Sequence, residues 1–117
     1  MVLIGGACAG GIDDSSPVFP EVVEATIVEE DGGTYRFDVT ISSPYDSADR
    51  YADAWRVTGP GGEVYAVRIL THPHADEQPF TRSLGAVVIP ADVRTVTVQA
   101  RDLLNQWGGS TVDVAVP

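Results

Sequence analysis

Apolar and polar residues alternate along most of this chain, which is the pattern of a β-strand with one buried face. The clearest run covers residues 34–42, where the apolar members are Tyr35, Phe37, Val39 and Ile41. Polar side chains occupy the positions between them, and successive side chains of a strand point to opposite faces. The run therefore predicts a strand that turns one face toward a core and the other toward water.

Six further segments have the alternation or the β-branched composition of strands. In the first of them Val23, Ala25 and Ile27 are predicted to point to one side. Turns that contain glycine or proline separate the segments, and no window carries the apolar stripe of an amphipathic helix. The full set of predicted strands is 21–30, 34–42, 51–58, 63–70, 80–84 with a resumption at 87–89, 95–101 and 111–116.

Short strands at intervals of about ten residues, with turn signals between them, predict an all-β fold. We expect a two-sheet antiparallel sandwich, and a small open barrel is the alternative. The 117 residues fit one domain of this size, which we assign to residues 20–117. Trp55 lies on the apolar side of its strand and is predicted to be a core residue.

The passage from Ile89 to Asp102 resembles one in fibronectin type III and related immunoglobulin-like domains. In those domains a tight turn leads into the sixth strand, which ends near an Ala-x-Asp, here Ala100-Arg101-Asp102. The resemblance implies an immunoglobulin-like sandwich of about seven strands. Cys8 is the one cysteine of the chain, so the inter-sheet disulfide of antibody domains is absent, which favours the fibronectin type III-like arrangement.

A second resemblance covers residues 51–109. Its motifs are Tyr-Ala-Asp-Ala-Trp-Arg-Val at 51–57, His-Pro-His at 72–74, the run at 77–84 and Trp-Gly-Gly at 107–109. They resemble a small family of secreted bacterial proteins that has no characterised activity. The resemblance implies export and a fold, and no activity. Relatives often carry histidine just before Trp-Gly-Gly, but this chain does not, which argues against a metal site built from several histidines.

The chain is acidic, with 17 Asp and Glu against seven Lys and Arg and a formal net charge of −10. Affinity for nucleic acid comes mainly from Lys and Arg, so this charge argues against a nucleic-acid partner. It also disfavours adsorption to anionic membrane surfaces. An acidic surface otherwise serves to keep a protein in solution.

The first 19 residues resemble the end of a bacterial lipoprotein signal followed by a flexible tether. A short apolar run passes into small residues and Cys8, and a segment rich in Gly, Asp, Ser and Pro follows. Complete signals carry a basic region and a longer apolar stretch, which residues 1–7 do not supply, so either the true start lies upstream or this is an ordinary flexible N-terminus. The pattern predicts an exported protein, either periplasmic or anchored in the cell envelope by a lipid on Cys8. Membrane contact is expected only through that lipid.

Successive connections of such a sandwich alternate between its two ends, so non-adjacent connections meet. Those at 43–50, 71–79 and 102–110 are expected at one end, which we call the loop end. They are longer than the opposite turns, and function on a rigid scaffold usually lies in such loops. The predicted surface for an unidentified protein or envelope partner is Tyr45, Asp46, Asp49, Asp102, Asn105 and Trp107.

Two interpretations of Trp107 stay open at this point. It is either an anchor for a partner, as tryptophan often is in interfaces, or a plug of the sandwich end above Gly108 and Gly109. Two arginines also interrupt partly apolar strands. We expect Arg68 and Arg82 to pair with acids such as Asp53 or Asp38 across the sheet.

Both histidines of the chain lie in the 71–79 connection. In an extended segment His72 and His74 project from the same face, and with Asp76 and Glu77 they could hold Zn²⁺ or Cu²⁺. Such sites want three or four ligands, so the alternative is one histidine bonded to loop backbone and the other solvated. Calcium is a further alternative through Asp46, Asp49 and Asp102, although no EF-hand spacing is present.

Catalysis is not expected. His72 or His74 would be the general base, but Ser83 has no nucleophile-elbow context, and phosphate-binding and nucleotide motifs are absent from the sequence. We therefore predict a non-catalytic, exported binding or interaction module that uses the loop end around His72 and His74. The alternative function is a periplasmic transition-metal protein that binds Cu or Zn through these two histidines, and no other cofactor is predicted.

Overall fold

The computed structural model describes residues 18–117, which form two antiparallel β-sheets. The prediction of an all-β fold with two antiparallel sheets and seven strands is confirmed. No helix in this part of the chain is long and apolar enough to cross a membrane. The strands are β1 (Glu21–Glu30), β2 (Thr34–Ser42), β3 (Ala52–Thr58), β4 (Val64–Ile69), β5 (Phe80–Val87), β6 (Thr95–Asp102) and β7 (Gln106–Ala115).

One sheet has three strands in the order β1-β2-β5, and the other has four in the order β4-β3-β6-β7. All pairings are antiparallel. Along one side of the molecule β1 packs against β7, so that two sheet margins cover each other. Along the other side the margins are β4 and β5.

The core consists of the inward rows of side chains from both sheets. Phe37, Val39 and Ile41 of β2 are fully buried, as their alternation predicts. Trp55 of β3 is also fully buried, and Phe80 at the start of β5 is 1% exposed. Burial of one such side chain contributes about 1.5–3 kcal/mol. The predicted core position of Trp55 is confirmed.

β1 departs from the predicted alternation at its start. The register shifts between Val22 and Glu24, so Val22 is buried and Val23 is 54% exposed. Ala25 and Ile27 pack against the core. The prediction that Val23 shares their side is wrong, because a bulge inserts one residue and reverses the facing of those before it.

The last strand begins earlier than predicted. β7 starts at Gln106, so Trp107, Gly108 and Gly109 belong to the strand and not to a long loop. Gly109 has φ +83°, a conformation that glycine adopts without steric cost. The register between β6 and β7 shifts in this region. Because the strand is irregular here, its apolar and polar residues do not alternate, and its start could not be predicted from alternation.

The glycine pair of β7 lets the start of the domain pack closely against this strand. A side chain at Gly108 would collide with the ring of Phe19, and one at Gly109 would meet the backbone oxygen of Pro20. The segment that precedes β1 therefore lies directly against β7. Gly108 and Gly109 make room for this segment, so they do not provide a turn beneath Trp107.

The register confirms that the predicted connections meet at one end. In the three-stranded sheet Glu21 pairs with Ser42, so the start of β1 lies beside the end of β2. In the four-stranded sheet Ala52 pairs with Asp102, so the start of β3 lies beside the end of β6. The connections 43–51, 70–79 and 103–105 follow or precede these strand ends.

The predicted pairing of Arg68 and Arg82 with Asp53 or Asp38 is wrong. Arg82 pairs with Glu77 at 3.1 Å, and Arg68 donates to backbone oxygens. Asp38 pairs with Arg36, and Asp53 pairs with Arg101. Alternation alone does not distinguish among several arginines that reach the same carboxylate.

Candidate binding site at the loop end

Asp46 lies inside the loop end and organises two connections at once. Its Oδ1 accepts a hydrogen bond from the backbone N–H of Ala52 at 3.1 Å, and its Oδ2 accepts one from the N–H of His74 at 3.0 Å. A buried carboxylate is tolerated only when its oxygens find donors, and Asp46 is 5% exposed. The residue was predicted on the partner surface, and the structure buries it beneath that surface instead.

Gln78 links the same two connections from the other side. Its Oε1 accepts a hydrogen bond from the backbone N–H of Ser43 at 2.7 Å. Its Nε2 donates to the backbone oxygen of His74 at 3.0 Å and to the hydroxyl of Ser43 at 3.3 Å. The 70–79 connection is therefore fixed at several points by side chains, as expected of a preorganised loop.

Asp102 is the second predicted surface acid that the structure places in the interior. It is fully buried, its Oδ1 accepts a hydrogen bond from the Tyr45 hydroxyl at 2.8 Å, and both oxygens lie 3.2 Å from Nε of Arg50. Oδ2 also accepts the N–H groups of Leu104 and Asn105. Burial by itself raises the pKa of Asp102, but the hydrogen bonds from Asn105, Tyr45, Arg50 and Leu104 outweigh it and lower that pKa.

Tyr45 takes part in the same network and is not a free anchor. Burial, together with its hydrogen bond to Asp102, raises the pKa of the Tyr45 phenol well above its ordinary value, so it stays a donor. The guanidinium of Arg50 lies 5.4 Å from the centre of its ring. Part of the Tyr45 side chain remains accessible to a partner.

The beginning of the described chain is held at this end as well. The backbone oxygen of Val18 accepts hydrogen bonds from Nη2 of Arg50 and Nδ2 of Asn105, each at 3.0 Å. Asn105 was predicted as a partner residue, and its amide is engaged in this contact. The chain therefore enters the domain at the loop end.

His74 is the most unusual side chain of the site. Its side chain is 3% exposed and its ring stacks on Phe80 with centroids 3.9 Å apart. Its Nδ1 has no hydrogen-bond partner and lies 4.0 Å from Oδ2 of Asp46. Burial lowers the pKa of His74, with smaller contributions from the positive charge of Arg82 and from His72, while Asp46 and Glu77 oppose the shift.

The segment around His74 borders an open concavity of about 350 Å³. His72 is exposed at its rim, and its ring centroid lies 4.5 Å from that of His74. Nδ1 of His72 is 3.0 Å from the backbone oxygen of Pro73. His72 thus bonds to loop backbone, as one alternative had it, whereas His74 is buried rather than solvated. The lining residues are His72, Pro73, His74, Ala75, Asp76 and Glu77.

The predicted metal ligands come only partly together. Among residues 18–117 no group of three or more His, Cys, Asp and Glu side chains is arranged to hold a metal ion. Glu77 is engaged with Arg82, and this hydrogen bond lowers the pKa of Glu77. Asp76 is exposed. The two imidazoles therefore form a pair that lacks the further ligands of a typical zinc site.

The carboxylates considered for calcium are also committed elsewhere. The oxygens of Asp46 and Asp102 accept hydrogen bonds from N–H and O–H donors, which leaves them poorly placed to ligate a cation. Asp49 is exposed at the surface. Calcium sites need six to eight oxygen ligands that converge on one point, and these three residues do not supply them.

Trp107 lies on the outer face of the four-stranded sheet. In the register it stands beside Arg101, and its ring centre is 4.1 Å from the guanidinium of Arg56 and 5.1 Å from that of Arg101. It does not plug the end of the sandwich, because it belongs to β7 and stacks against arginines of β3 and β6. Arg101 is in turn held by Asp53 at 2.7 Å.

Some residues of the loop end were missed by pattern reasoning. Gln78 and Arg50 contribute several hydrogen bonds to the site, and Leu104 is 63% exposed at its tip. Arg50 is the one base in the acidic 43–50 connection, which is a readable signal for a buried ion pair. Gln78 carried no such signal, because a neutral amide is as common on surfaces as in networks.

The N-terminal features of the sequence lie outside this geometry. Cys8 and the signal-like segment are outside the described residues, so the predicted lipid attachment stays a prediction. Comparison of the chain with protein families, with curated proteins and with solved structures finds no match. Function is therefore inferred from the residues of the site itself.

Proposed function

We propose that this chain is a non-catalytic, exported binding module that uses its loop end to hold a protein or another cell-envelope partner. The observation that carries the proposal is the open concavity of about 350 Å³ lined by residues 72–77, whose backbone is held in place by hydrogen bonds to Asp46 and Gln78. Binding sites are usually concave and largely formed before the ligand arrives. Export rests on the N-terminal pattern around Cys8.

The arrangement of strands supports a fibronectin type III-like sandwich as the scaffold. If the strands are lettered A, B, C, C′, E, F and G in chain order, the sheets are A-B-E and C′-C-F-G. This is the arrangement that the resemblance implies. On such a scaffold the ends of the sandwich are the usual places for variable binding loops.

The rigidity of the loop end supports binding. Asp46 and Gln78 fix the 70–79 connection to its neighbour, so little conformational entropy is lost when a partner contacts it. The residues that line the concavity include no hydroxyl or thiol side chain. The exposed set that a partner would touch is Asp49, His72, Ala75, Asp76, Glu77 and Leu104.

A matched pair of substitutions tests this proposal. Ala75→Trp fills the concavity at the loop end, and Ala91→Trp places the same bulk in an exposed turn at the opposite end. Purified variants are immobilised and exposed to detergent-solubilised cell envelope, and captured proteins are quantified against the wild type. We expect Ala75→Trp to lose a specific partner and Ala91→Trp to retain it. Equal capture by all three proteins would refute a loop-end site.

A second candidate function is transition-metal binding, which the proximity of the His72 and His74 rings favours. Titration calorimetry with Zn²⁺ and Cu²⁺ on the wild type and His72→Ala tests it, since His72 is exposed and its loss spares the core. Heat that is present in the wild type and lost in the variant supports the metal function. Equal heats in both proteins remove it.

A further inference from the structure

Two edge strands, one from each sheet, lie side by side along one side of the sandwich, and the outer backbone groups of each have no partner strand in the described part of the chain. β4 ends the four-stranded sheet and β5 ends the three-stranded sheet, and no other strand among residues 18–117 pairs with their outer sides. The opposite side differs, because β1 and β7 pack against each other there. A free strand margin presents backbone N–H and C=O groups that another strand can satisfy.

The outer face of β4 is apolar as well as exposed. Val64, Val67 and Ile69 are 50%, 41% and 49% exposed. The register places Val67 opposite Arg56 and Ile69 opposite Ala54, so both lie on the outer side of the sheet. Three exposed β-branched side chains on one edge strand form a row against which a neighbouring strand would pack its own apolar residues.

Arg68 sets the charge of this margin. It stands opposite the core residue Trp55 and therefore starts from the inner side of β4. Its Nε donates to the backbone oxygen of Ser83 on β5 at 3.0 Å, and its Nη1 donates to the oxygen of Ile69 at 2.7 Å. Among the described residues no carboxylate lies within ion-pair distance of Arg68. The guanidinium bridges the two sheets with its charge uncompensated.

We propose that β4 accepts an extended, acidic segment of another protein as an additional strand. The segment carries apolar residues where it neighbours Val67 and Ile69, and a carboxylate at the intervening position beside Arg68. Backbone hydrogen bonds supply affinity in this mode of recognition, and alternate side chains supply specificity. An inward-pointing charge also discourages unwanted strand pairing, so Arg68 admits a strand that brings the opposite charge and rejects others.

The same features argue against a second copy of this chain as the occupant. Antiparallel pairing of β4 with itself in the register centred on Arg68 would bring two Arg68 side chains together. This surface is separate from the concavity around His74, so it extends the proposed function and does not depend on it.

The experiment uses a fluorescein-labelled peptide of alternating Val and Glu, and a matched peptide of alternating Val and Lys. Fluorescence anisotropy measures binding to the full chain, and two-dimensional NMR locates the amides that shift. We expect the acidic peptide to bind and to perturb β4 amides. The Val/Lys peptide should not bind.

Matched variants test the residues named. Arg68→Gln should weaken binding of the Val/Glu peptide about tenfold, as expected for loss of a charge-assisted hydrogen bond. Ile69→Thr should also weaken it. The controls Arg36→Gln and Val28→Thr alter an exposed arginine and an exposed valine on the three-stranded sheet and should leave affinity unchanged.

Three results would overturn the proposal. One is the absence of binding to the wild type at about 1 mM peptide, beyond which association is too weak to be specific. Another is a set of NMR shifts that falls at the loop end and spares β4. The last is sedimentation as a dimer that Ile69→Thr abolishes, because it would identify a second copy as the occupant of this margin.

Discussion

Asp46 and Asp102 each accept hydrogen bonds from the backbone N–H groups of connections at the loop end. These carboxylate oxygens satisfy backbone N–H groups that would pair with another strand if the strands were longer. Asp49, three residues from Asp46, is exposed and makes no comparable contact. Two aspartates of the same connection therefore have different roles, because Asp46 fixes the backbone of the loops and Asp49 is exposed to solvent.

His74 gives the clearest prediction for a single side chain. Burial lowers the pKa of His74, so between the folded and unfolded pKa values the unfolded chain binds more protons than the folded one. The free energy of unfolding should therefore fall as the pH drops below the ordinary pKa of 6.5, and it should level off only below the folded pKa. Urea unfolding at closely spaced pH values from neutral to mildly acidic measures this.

The variant His74→Phe provides the comparison for that prediction. Phenylalanine can stack on Phe80 as the imidazole does, and it has no proton to gain. The decline of stability below pH 6.5 should be smaller in this variant than in the wild type. Identical pH profiles for both proteins would show that His74 does not titrate differently in the folded and unfolded chains.

For single residues, the sequence pattern predicts which side chains lie close together better than it predicts which are buried. The position of His72 and His74 in one connection, and their mutual proximity, could be predicted from extended spacing. The burial of Asp46 and Asp102 could not, because it depends on donors from distant connections, namely the N–H of His74 for Asp46 and the side chains of Tyr45 and Arg50 for Asp102. A carboxylate in a loop looks the same whether it faces solvent or fixes a backbone.

Among the strands, β2 and β6 matched their predicted inward residues, since each has neighbours on both sides and a regular register over most of its length. β1 and β7 lie at sheet margins and contain bulges, so their alternation is interrupted. The misplaced side of Val23 and the late predicted start of β7 have this common cause. Regular central strands can be predicted from the sequence pattern, whereas edge strands are shaped by contacts that the local pattern does not contain.

The glycines at 32 and 109 offer a matched test of how β7 is packed. Both have φ +83°, but a side chain at Gly32 meets open space, whereas one at Gly109 meets the backbone oxygen of Pro20 at 2.5 Å. Gly32→Ala should cost about 1–2 kcal/mol of unfolding free energy for the left-handed conformation alone. Gly109→Ala should cost about 1–3 kcal/mol more, because the segment before β1 must move.

Chemical denaturation of both variants under one set of conditions measures the difference. Equal losses of stability would mean that the segment around Pro20 yields without cost and does not contribute to the packing of β7. A larger loss in Gly32→Ala would contradict the packing argument outright.

Over the whole molecule, acidic side chains outnumber the basic side chains that could pair with them. Seventeen acids face seven bases, and exposed pairs such as Arg82 with Glu77 are worth about 0–1 kcal/mol each. Raising NaCl from about 10 mM to about 150 mM shortens the screening length from about 30 Å to about 8 Å. We expect this to raise the unfolding free energy by up to about 1 kcal/mol, because self-repulsion is screened more than ion pairs are lost.

Thermal unfolding at neutral pH in the two salt concentrations checks that expectation. A fall in the midpoint with added salt would mean that the ion pairs of the surface outweigh repulsion among the unpaired acids. Potassium chloride should act as sodium chloride does, since screening does not depend on the identity of the monovalent ion.

The point at which the chain enters the domain determines which end lies nearer to an anchor. Val18 is held at the loop end, and β7 runs toward the opposite end, where Ala115 pairs with Thr95. If Cys8 carries a lipid, the ten residues from there to Val18 reach at most about 35 Å. The loop end, with the concavity around His74, would then lie nearer to the anchored cysteine along the chain than the short turns do. Its partners would be neighbours on that same membrane.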